Sequence, residues 1–156
     1  MRLTDFTDYG LRVLMYAALN PDRHVTIREI SAAFGISGNH VSKIVMVLGQ
    51  TGYIRTSKGR YGGVCLDRPA TAISVGEVVR AIEPGFVLAE CFQPEHNRCV
   101  ISARCGLRKV LDSALRAYFG ILNDYTLKDL IVEPEALRQL LGHEPGVYPL
   151  VQRSRR

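Results

Sequence analysis

The sequence predicts a mainly α-helical fold that carries one small β element. Apolar residues recur at helical spacing in four short segments of the first half and in one long segment of the second half. Among the short segments, two β-rich runs flank a turn rich in glycine and basic residues. With 156 residues, 47% of them hydrophobic, the chain can bury the core of one compact domain or of one small domain with an attached helical arm.

The first three helices follow from local start and stop signals. Apolar residues within 6–17 share one face before Asn20-Pro21 ends the first helix. Thr26-x-x-Glu29 has the form of a capping box and begins the second helix. Gly35 is suited to the left-handed residue that closes this helix, and Ser37 is the N-cap of the third.

The third helix separates an apolar face from a polar one. Its buried face is predicted from the helical spacing of Val41, Ile44, Val45 and Leu48. The opposite side carries groups that hydrogen-bond to base edges or phosphates, namely Ser37, Asn39, His40, Ser42 and Lys43. Two short helices joined by a tight turn, the second polar on its outer face, are typical of a helix-turn-helix that enters the major groove of DNA.

A β-hairpin is predicted directly after this helix. Residues 53–56 and 64–66 are its two β-rich runs, and the turn between them carries Lys58, Arg60 and Tyr61. We expect these three side chains to reach the flanking minor groove or phosphates. The hairpin is the wing of a winged helix-turn-helix domain, predicted over residues 1–82, whose last short helix begins at a second capping box, Ser74-x-x-Glu77.

The positive charge of the chain is concentrated in this first domain. The net charge is +5, and residues 1–80 hold ten Lys or Arg against six Asp or Glu, whereas the remaining residues hold ten against nine. Between residues 43 and 68, five Lys or Arg face a single acid, Asp67. Such a surplus suits a phosphate backbone, although a merely solvated surface is the common alternative.

Beyond the first domain, the sequence predicts a loop over residues 83–106, a dimerisation helix region over 107–132 and a C-terminal tail over 133–156 that contains a weak helix near its start. The long helix carries a heptad seam of Leu107, Leu111, Ala114, Tyr118, Ile121 and Tyr125. Because further apolar residues widen this surface, we expect one side to pack on its own domain and the other on a second subunit.

Three of the four cysteines lie in the loop with the spacing C-x7-C-x5-C: Cys91, Cys99 and Cys105. No export signal or membrane span is recognisable, so we expect a cytoplasmic protein, where clustered thiols favour metal or redox chemistry over disulfides. Zinc sites prefer tighter pairs, although His96 completes a Cys3His set, and iron-sulfur clusters accept looser spacing. Cys65, in the wing, is expected to be a small buried side chain. The spacing favours a metal centre and leaves the metal open.

Four stretches together resemble one family of regulators. The start "MRLTDFTDYGLRVLMYAAL", the segment "TIREISAAFGISGNHVSKIVMVLGQTGYI", the wing "KGRYGG" and the three-cysteine loop occur in this order. They resemble the family of iron-sulfur winged-helix transcriptional regulators that includes NsrR and IscR. The resemblance covers roughly residues 1 to 130, and the opening stretch is most similar to the NsrR type, the nitric-oxide-responsive repressors.

The resemblance implies a homodimer whose long helices cross, with an iron-sulfur cluster held by Cys91, Cys99 and Cys105 near the interface. In NsrR-type members with a [4Fe-4S] cluster, the fourth ligand is an aspartate from the first helix of the other subunit, and Asp8 stands at the matching position. Without the family, a carboxylate in the first turns of a helix ordinarily serves the helix dipole. IscR-type members use a histidine soon after the third cysteine, and that position holds none here. A [2Fe-2S] cluster and His96 as a substitute ligand remain the alternatives.

The implied function is a transcriptional repressor that binds a palindromic DNA operator and responds to nitric oxide through its cluster. One alternative keeps the DNA-binding fold but senses iron-sulfur supply, oxygen or thiol redox state, and zinc in the loop would make the loop purely structural. A thiol enzyme that uses Cys65 or Cys91 with His96 is the remaining alternative. An enzyme is not expected, because no residue set orients a base and neither a Gly-rich phosphate loop nor a paired carboxylate site is found.

Overall fold

The computed structural model describes residues 2–59 and 62–142. Within these ranges the chain forms a mainly helical fold with one two-stranded sheet, as predicted. In chain order the elements are α1 (Asp5–Leu19), α2 (Ile27–Phe34), α3 (Gly38–Gln50), β1 (Ile54–Ser57), β2 (Gly63–Leu66), α4 (Val75–Ile82), α5 (Gly106–Asn123) and α6 (Pro134–Leu140). Single 3₁₀ turns lie at Ala70–Ala72, Glu90–Phe92, Pro94–His96 and Ser102–Arg104.

The predicted caps of the helix-turn-helix are present. The Glu29 N–H donates to Thr26 Oγ1 at 3.1 Å, and the Thr26 N–H donates to Glu29 Oε2 at 2.6 Å, so both bonds of the capping box form. Gly35 closes α2 with a φ of +64°, which a side chain would strain. Ser37 Oγ accepts from the His40 N–H at 3.3 Å and caps α3. These local bonds fix the turn between α2 and α3.

The core of the first domain lies where α1, α3 and α4 meet. The predicted apolar face of α3 is buried and packs against α1 in one cluster that includes Val13, Leu14, Ala17, Val41, Ile44, Val45 and Leu48. Gly10 of α1 lies at the junction, because a Cβ added there would stand 2.5 Å from Ile82 Cδ1 and 3.9 Å from Ile44 Cγ2. The first helix therefore contacts both the recognition helix α3 and the end of α4.

The wing is an antiparallel hairpin in which Ile54 pairs with Leu66 and Ser57 with Gly63. Reciprocal backbone bonds of 2.8 Å between Val25 and Val64 anchor β2 to the residue before the N-cap of α2. Arg60 and Tyr61, both predicted at the wing tip, lie outside the described residues. Cys65 is only half-buried, contrary to the sequence expectation, because this side of β2 opens into a cleft of about 370 Å³.

The second half of the chain folds back onto the first. Ser74 Oγ accepts from the Glu77 N–H at 3.4 Å and begins α4 at the predicted place. The segment after α5 returns to the start of α4, where the Val75 N–H donates to Tyr125 O at 2.9 Å. The predicted helix near residue 134 is α6, and Arg138 donates from Nε and Nη2 to Leu19 O at the end of α1. Residues 143–156 of the predicted tail lie outside the described residues.

The long helix α5 is amphipathic, and its exposed apolar stripe shares Leu107, Ala114 and Ile121 with the predicted seam but departs from it at the other three positions. Tyr118 packs with Phe119, Phe86 and the α4 valines of a second small core, and Tyr125 lies beyond the end of the helix. The apolar residues left exposed follow one another at three- and four-residue intervals: Leu107, Val110, Ala114, Ala117 and Ile121. We call these five residues the α5 stripe. Among the described residues, no helix is both long enough and apolar enough to cross a bilayer.

Candidate DNA interface and cysteine loop

The predicted DNA-contacting side chains of α3 form one exposed surface at its N-terminal half. All five are exposed: Ser37, Asn39, His40, Ser42 and Lys43. Two of the five are already used by the helix itself. The Ser37 hydroxyl accepts the capping bond from His40, and the Ser42 hydroxyl donates to Gly38 O at 2.8 Å.

The three other side chains of this surface point outward with unused hydrogen-bonding groups. In the described part of the chain, no hydrogen bond or ion pair engages the side chains of Asn39, His40 and Lys43. Exposed polar groups at the start of a helix that is held by a short turn are what major-groove recognition requires. This arrangement agrees with the use predicted from the sequence.

The basic surplus between residues 43 and 68 divides between free and paired cations. Lys43 on α3 and Lys58 at the wing are exposed. Arg55 instead pairs with Asp67 at 2.9 Å, and the Arg68 guanidinium lies 4.9 Å from the centre of the Tyr53 ring. Lys43 and Lys58 are therefore the described cations of this segment that are available to phosphates.

The cysteine loop joins α4 to α5 through three 3₁₀ turns, and each of its thiols lies in or beside one of them. Cys91 is within the first turn and is buried, Cys99 precedes the third turn and Cys105 follows it as the N-cap of α5. All three are free thiols. The Cys99 N–H donates to Asn97 Oδ1 at 3.1 Å, and this bond holds the middle cysteine against its own loop.

Three reduced thiols match the donor preference of an iron-sulfur cluster. In the described ranges, however, no three Cys, His, Asp or Glu side chains lie close enough together to hold a metal ion. The structure therefore supplies the predicted ligand type on one loop but does not gather Cys91, Cys99 and Cys105 around one point. The residues fit a cluster by chemistry, and the loop has to close for them to bind it.

A cleft of about 300 Å³ opens beside the third cysteine. Its lining includes Phe92, Cys105, Arg108 and Lys109. The two cations lie in the first turn of α5, directly after the cysteine. Their positive charge would offset the negative charge of a Cys105 thiolate at this end of the loop.

Asp8 lies in the first turn of α1 and its side chain is 46% exposed. Arg12 holds it through two bonds, from Nη2 to Oδ2 at 2.7 Å and from Nε to Oδ1 at 3.2 Å. Arg12 lies one helical turn after Asp8, so this is an i, i+4 ion pair. Within one chain, Asp8 is thus an ion-paired carboxylate rather than a neighbour of three thiols, and His96 is an exposed loop residue.

One contact was not predicted from the sequence. The Thr4 N–H and Thr4 Oγ1 both donate to Glu83 Oε2, at 3.1 and 3.0 Å. Thr4 is the N-cap of α1, and Glu83 is the first residue of the cysteine loop. The position of Thr4 before an amphipathic helix signals a cap, but no local pattern indicates a bond across 79 residues.

The same carboxylate faces the second core. Tyr118 of α5 has a raised pKa, first because of burial and then because of the negative charge of Glu83. Glu83 therefore links the start of α1, the end of α4 and the aromatic side of α5 at the entry to the cysteine loop.

Comparison with known proteins identifies the family. A family model described as "Rrf2: Iron-dependent Transcriptional regulator" matches residues 3–133. The chain belongs to the Rrf2 family. The match spans the winged helix-turn-helix domain, the cysteine loop and α5, which are the parts that the sequence resemblance singled out.

Individual Rrf2-family relatives agree with this assignment. The chain is 46% identical over 142 residues to the HTH-type transcriptional regulator NsrR of Bacillus subtilis (strain 168), covering 90% of this chain and 97% of that protein. It is 44% identical over 143 residues to the HTH-type transcriptional regulator NsrR of Bacillus licheniformis, covering 91% and 100%. The protein is thus a transcriptional regulator by its relatives.

Solved structures confirm the fold. The IscR of T. potens superposes with a TM-score of 0.68 at 19% identity, covering 84% of this chain and 86% of that one. At this identity the likeness shows the fold alone. It confirms the predicted winged-helix architecture with an attached long helix.

Proposed function

We propose that this Rrf2-family chain is a homodimeric, DNA-binding transcriptional repressor whose affinity for DNA is controlled by a nitric-oxide-sensitive iron-sulfur cluster. The observation that carries the proposal is the joint presence of two features. One is the exposed polar start of α3 in a winged helix-turn-helix, and the other is the loop of three free thiols between α4 and α5. The similarity to proteins named NsrR supports the signal.

The proposed division of labour follows the chain. Residues 1–82 bind DNA, 83–106 hold the cluster, 107–132 mediate dimerisation and 133–156 form a tail. The major-groove surface comprises Ser37, Asn39, His40, Ser42 and Lys43, and the wing adds Lys58, Arg60 and Tyr61. Two copies related by a twofold axis bind a palindrome whose half-sites lie roughly 34 Å apart, or a multiple of that distance.

Dimerisation is supported by the α5 stripe. Leu107, Val110 and Ile121 are 64%, 65% and 61% exposed, which is costly for a row of apolar side chains on one helix. Two alanines at its centre allow a second helix to approach closely. A second copy of α5 covers such a stripe by the heptad spacing of its apolar residues.

The cluster ligands are proposed from donor type and loop position. Cys91, Cys99 and Cys105 supply three thiolates, and Asp8 of the opposite subunit supplies a carboxylate, which suits a [4Fe-4S] cluster, with a [2Fe-2S] cluster as the alternative. When bound, the cluster provides iron that reacts with nitric oxide. Because a carboxylate is a hard ligand, the bond from Asp8 is the weakest of the four proposed cluster bonds.

The route from the loop to DNA uses residues whose contacts are known. Asp8 belongs to α1, and the same helix packs through Gly10 against Ile82 of α4 and Ile44 of α3. The Thr4–Glu83 bonds tie the start of α1 to the entry of the cysteine loop. A change in the position of α1 relative to the loop therefore also shifts the recognition helix α3, which packs against α1.

A pair of cysteine variants tests this function. Cys99→Ser removes a loop thiol, and Cys65→Ser removes the thiol in the wing as the matched control. We expect anaerobically purified Cys99→Ser to lose bound iron and sulfide and to bind the operator at least tenfold more weakly, while Cys65→Ser keeps both properties. Full iron content and unchanged DNA affinity in Cys99→Ser would remove the loop from the cofactor site.

A further inference from the structure

The exposed side of α3 carries one large apolar residue among its polar residues. Asn39, Lys43, Met46 and Gln50 follow one another at intervals of four, three and four residues, so they form a single row along the exposed side of the helix. Met46 in this row is 58% exposed. A large apolar side chain among polar groups on the DNA-facing side has no packing role within the described chain.

From this row we infer that Asn39 reads an adenine and Met46 contacts a thymine methyl group in the major groove, so that these two residues determine sequence preference. The inference rests on the proposed DNA-binding function. It assigns base readout to two side chains and withdraws it from Ser37 and Ser42.

The adenine is assigned to Asn39 because other hydrogen-bonding groups on this surface are already used within the helix or lack an acceptor. The Ser42 hydroxyl gives its hydrogen to Gly38 O, and the Ser37 oxygen is occupied by the helix cap. Lys43 offers a point charge without an acceptor. A neutral histidine such as His40 also offers one donor and one acceptor, but its two ring nitrogens point away from each other. The amide of Asn39 presents its donor and acceptor side by side in one plane, which is the pattern complementary to N7 and N6 of adenine.

Met46 is matched to an apolar group that the major groove presents. The thymine C5-methyl is the apolar feature of a base pair on the major-groove side. Met46 lies about two helical turns beyond Asn39, which is roughly 10 Å along the axis. The two contacts therefore fall on base pairs about three steps apart along the groove.

The test begins with selection from a random-sequence duplex pool, using the full-length dimer purified anaerobically with its cofactor. The selected duplex then receives single-atom changes: 7-deazaadenine for each adenine, and uracil for each thymine, one position at a time. Binding is measured for the unaltered chain and for Asn39→Ala, Met46→Ala and Ser42→Ala.

At one position we expect 7-deazaadenine to weaken binding of the unaltered chain about tenfold and to have no further effect on Asn39→Ala. At another position, uracil should weaken binding two- to fivefold and have no further effect on Met46→Ala. The Ser42→Ala variant should respond to every analogue as the unaltered chain does.

Additive effects of Asn39→Ala and 7-deazaadenine at every position would overturn the adenine assignment. An unchanged response to uracil in Met46→Ala would do the same for the thymine contact. Failure of the pool to yield any preferred sequence would instead contradict the proposed function itself, so the two failures are distinguishable.

Discussion

Two carboxylates in the first turn of α1 each pair with an arginine, and only Asp8 is proposed as a cluster ligand. Asp5 pairs with Arg2 at 2.7 Å and Asp8 pairs with Arg12 at the same distance. Both lie where a negative charge favours the positive end of the helix dipole. A ligand role for Asp8 must therefore show itself as an effect that Asp5 does not share.

We expect Asp8→Ala to change the visible absorption of the anaerobic protein and to speed its reaction with nitric oxide, because a thiolate-only loop leaves one iron position without its carboxylate. The measurement is an anaerobic titration followed by absorption spectroscopy. Asp5→Ala is the control and should leave the spectrum unchanged. Identical spectra for the two variants would return Asp8 to the dipole role alone.

A second residue-scale consequence concerns acid. Burial raises the pKa of Glu29, but hydrogen bonds from Thr26 and the charge of Arg23 outweigh burial, so the pKa lies below the ordinary value of a glutamate. A carboxylate with a lowered folded-state pKa stabilises the fold above its unfolded pKa, and this contribution is lost as the pH falls through the folded value.

The free energy of unfolding should accordingly fall less steeply with acidification in Glu29→Gln than in the unaltered chain. The curves of the two proteins should converge once the pH has fallen below the lowered pKa of Glu29. Urea unfolding at a series of pH values measures this, with Glu135→Gln as the control because the Glu135 side chain is 82% exposed. Parallel curves for Glu29→Gln and the unaltered chain would show that the capping box carries no charge-dependent stability.

At the scale of elements, the junction of α1, α3 and α4 depends on the absence of a side chain at Gly10. A Cβ there would stand 2.5 Å from Ile82 Cδ1, and Ile82 is buried. Alanine is otherwise favoured over glycine within a helix, by roughly 0.5–1 kcal/mol. The sign of the change in the free energy of unfolding on Gly10→Ala therefore shows whether packing or helix propensity dominates.

We expect Gly10→Ala to destabilise the chain by about 1–2 kcal/mol, because overpacking outweighs propensity. Gly49→Ala in α3, where nothing lies within 4 Å of the added Cβ, should stabilise it by about 0.5–1 kcal/mol. Urea unfolding of both variants provides the comparison. Stabilisation of the same size in Gly10→Ala would contradict the close packing of α4 on α1.

Local signals predicted the elements well because caps and spacing act within a few residues. The capping box at Thr26, the left-handed Gly35 and the buried face of α3 were all read directly from the sequence and are present. The exposed side of α5 was predicted only in part, because it depends on where Phe86 and Phe119 pack against α4. The half-buried state of Cys65 likewise depends on a cleft formed by distant segments.

The candidate site shows the same division. The exposure of Asn39, His40 and Lys43 followed from helical spacing. The arrangement of the three loop thiols did not, because three short 3₁₀ turns separate them and no periodic pattern governs such a loop. The Thr4–Glu83 link is a contact across the fold and leaves no local trace in the sequence.

For the whole molecule, the proposed dimer depends on the exposed α5 stripe. Val110→Glu places a charge within this stripe and should convert the proposed dimer to a monomer, with loss of operator affinity, because two half-sites are no longer bound together. Val132→Glu is the matched control, since Val132 is an exposed valine outside α5. Sedimentation equilibrium measures the mass, and a Val110→Glu variant that stays dimeric would place the interface elsewhere.

An iron-sulfur cofactor on the cysteine loop is proposed to set the DNA affinity of the dimer. One experiment tests it most directly: full-length protein is purified without air, its iron and sulfide are quantified, and its binding to a selected operator is measured before and after addition of nitric oxide. We expect coloured protein with bound iron and sulfide. We also expect its affinity for the operator to be high and to fall at least tenfold on addition of nitric oxide. Colourless, iron-free protein that binds the operator with the same affinity in both conditions would contradict it.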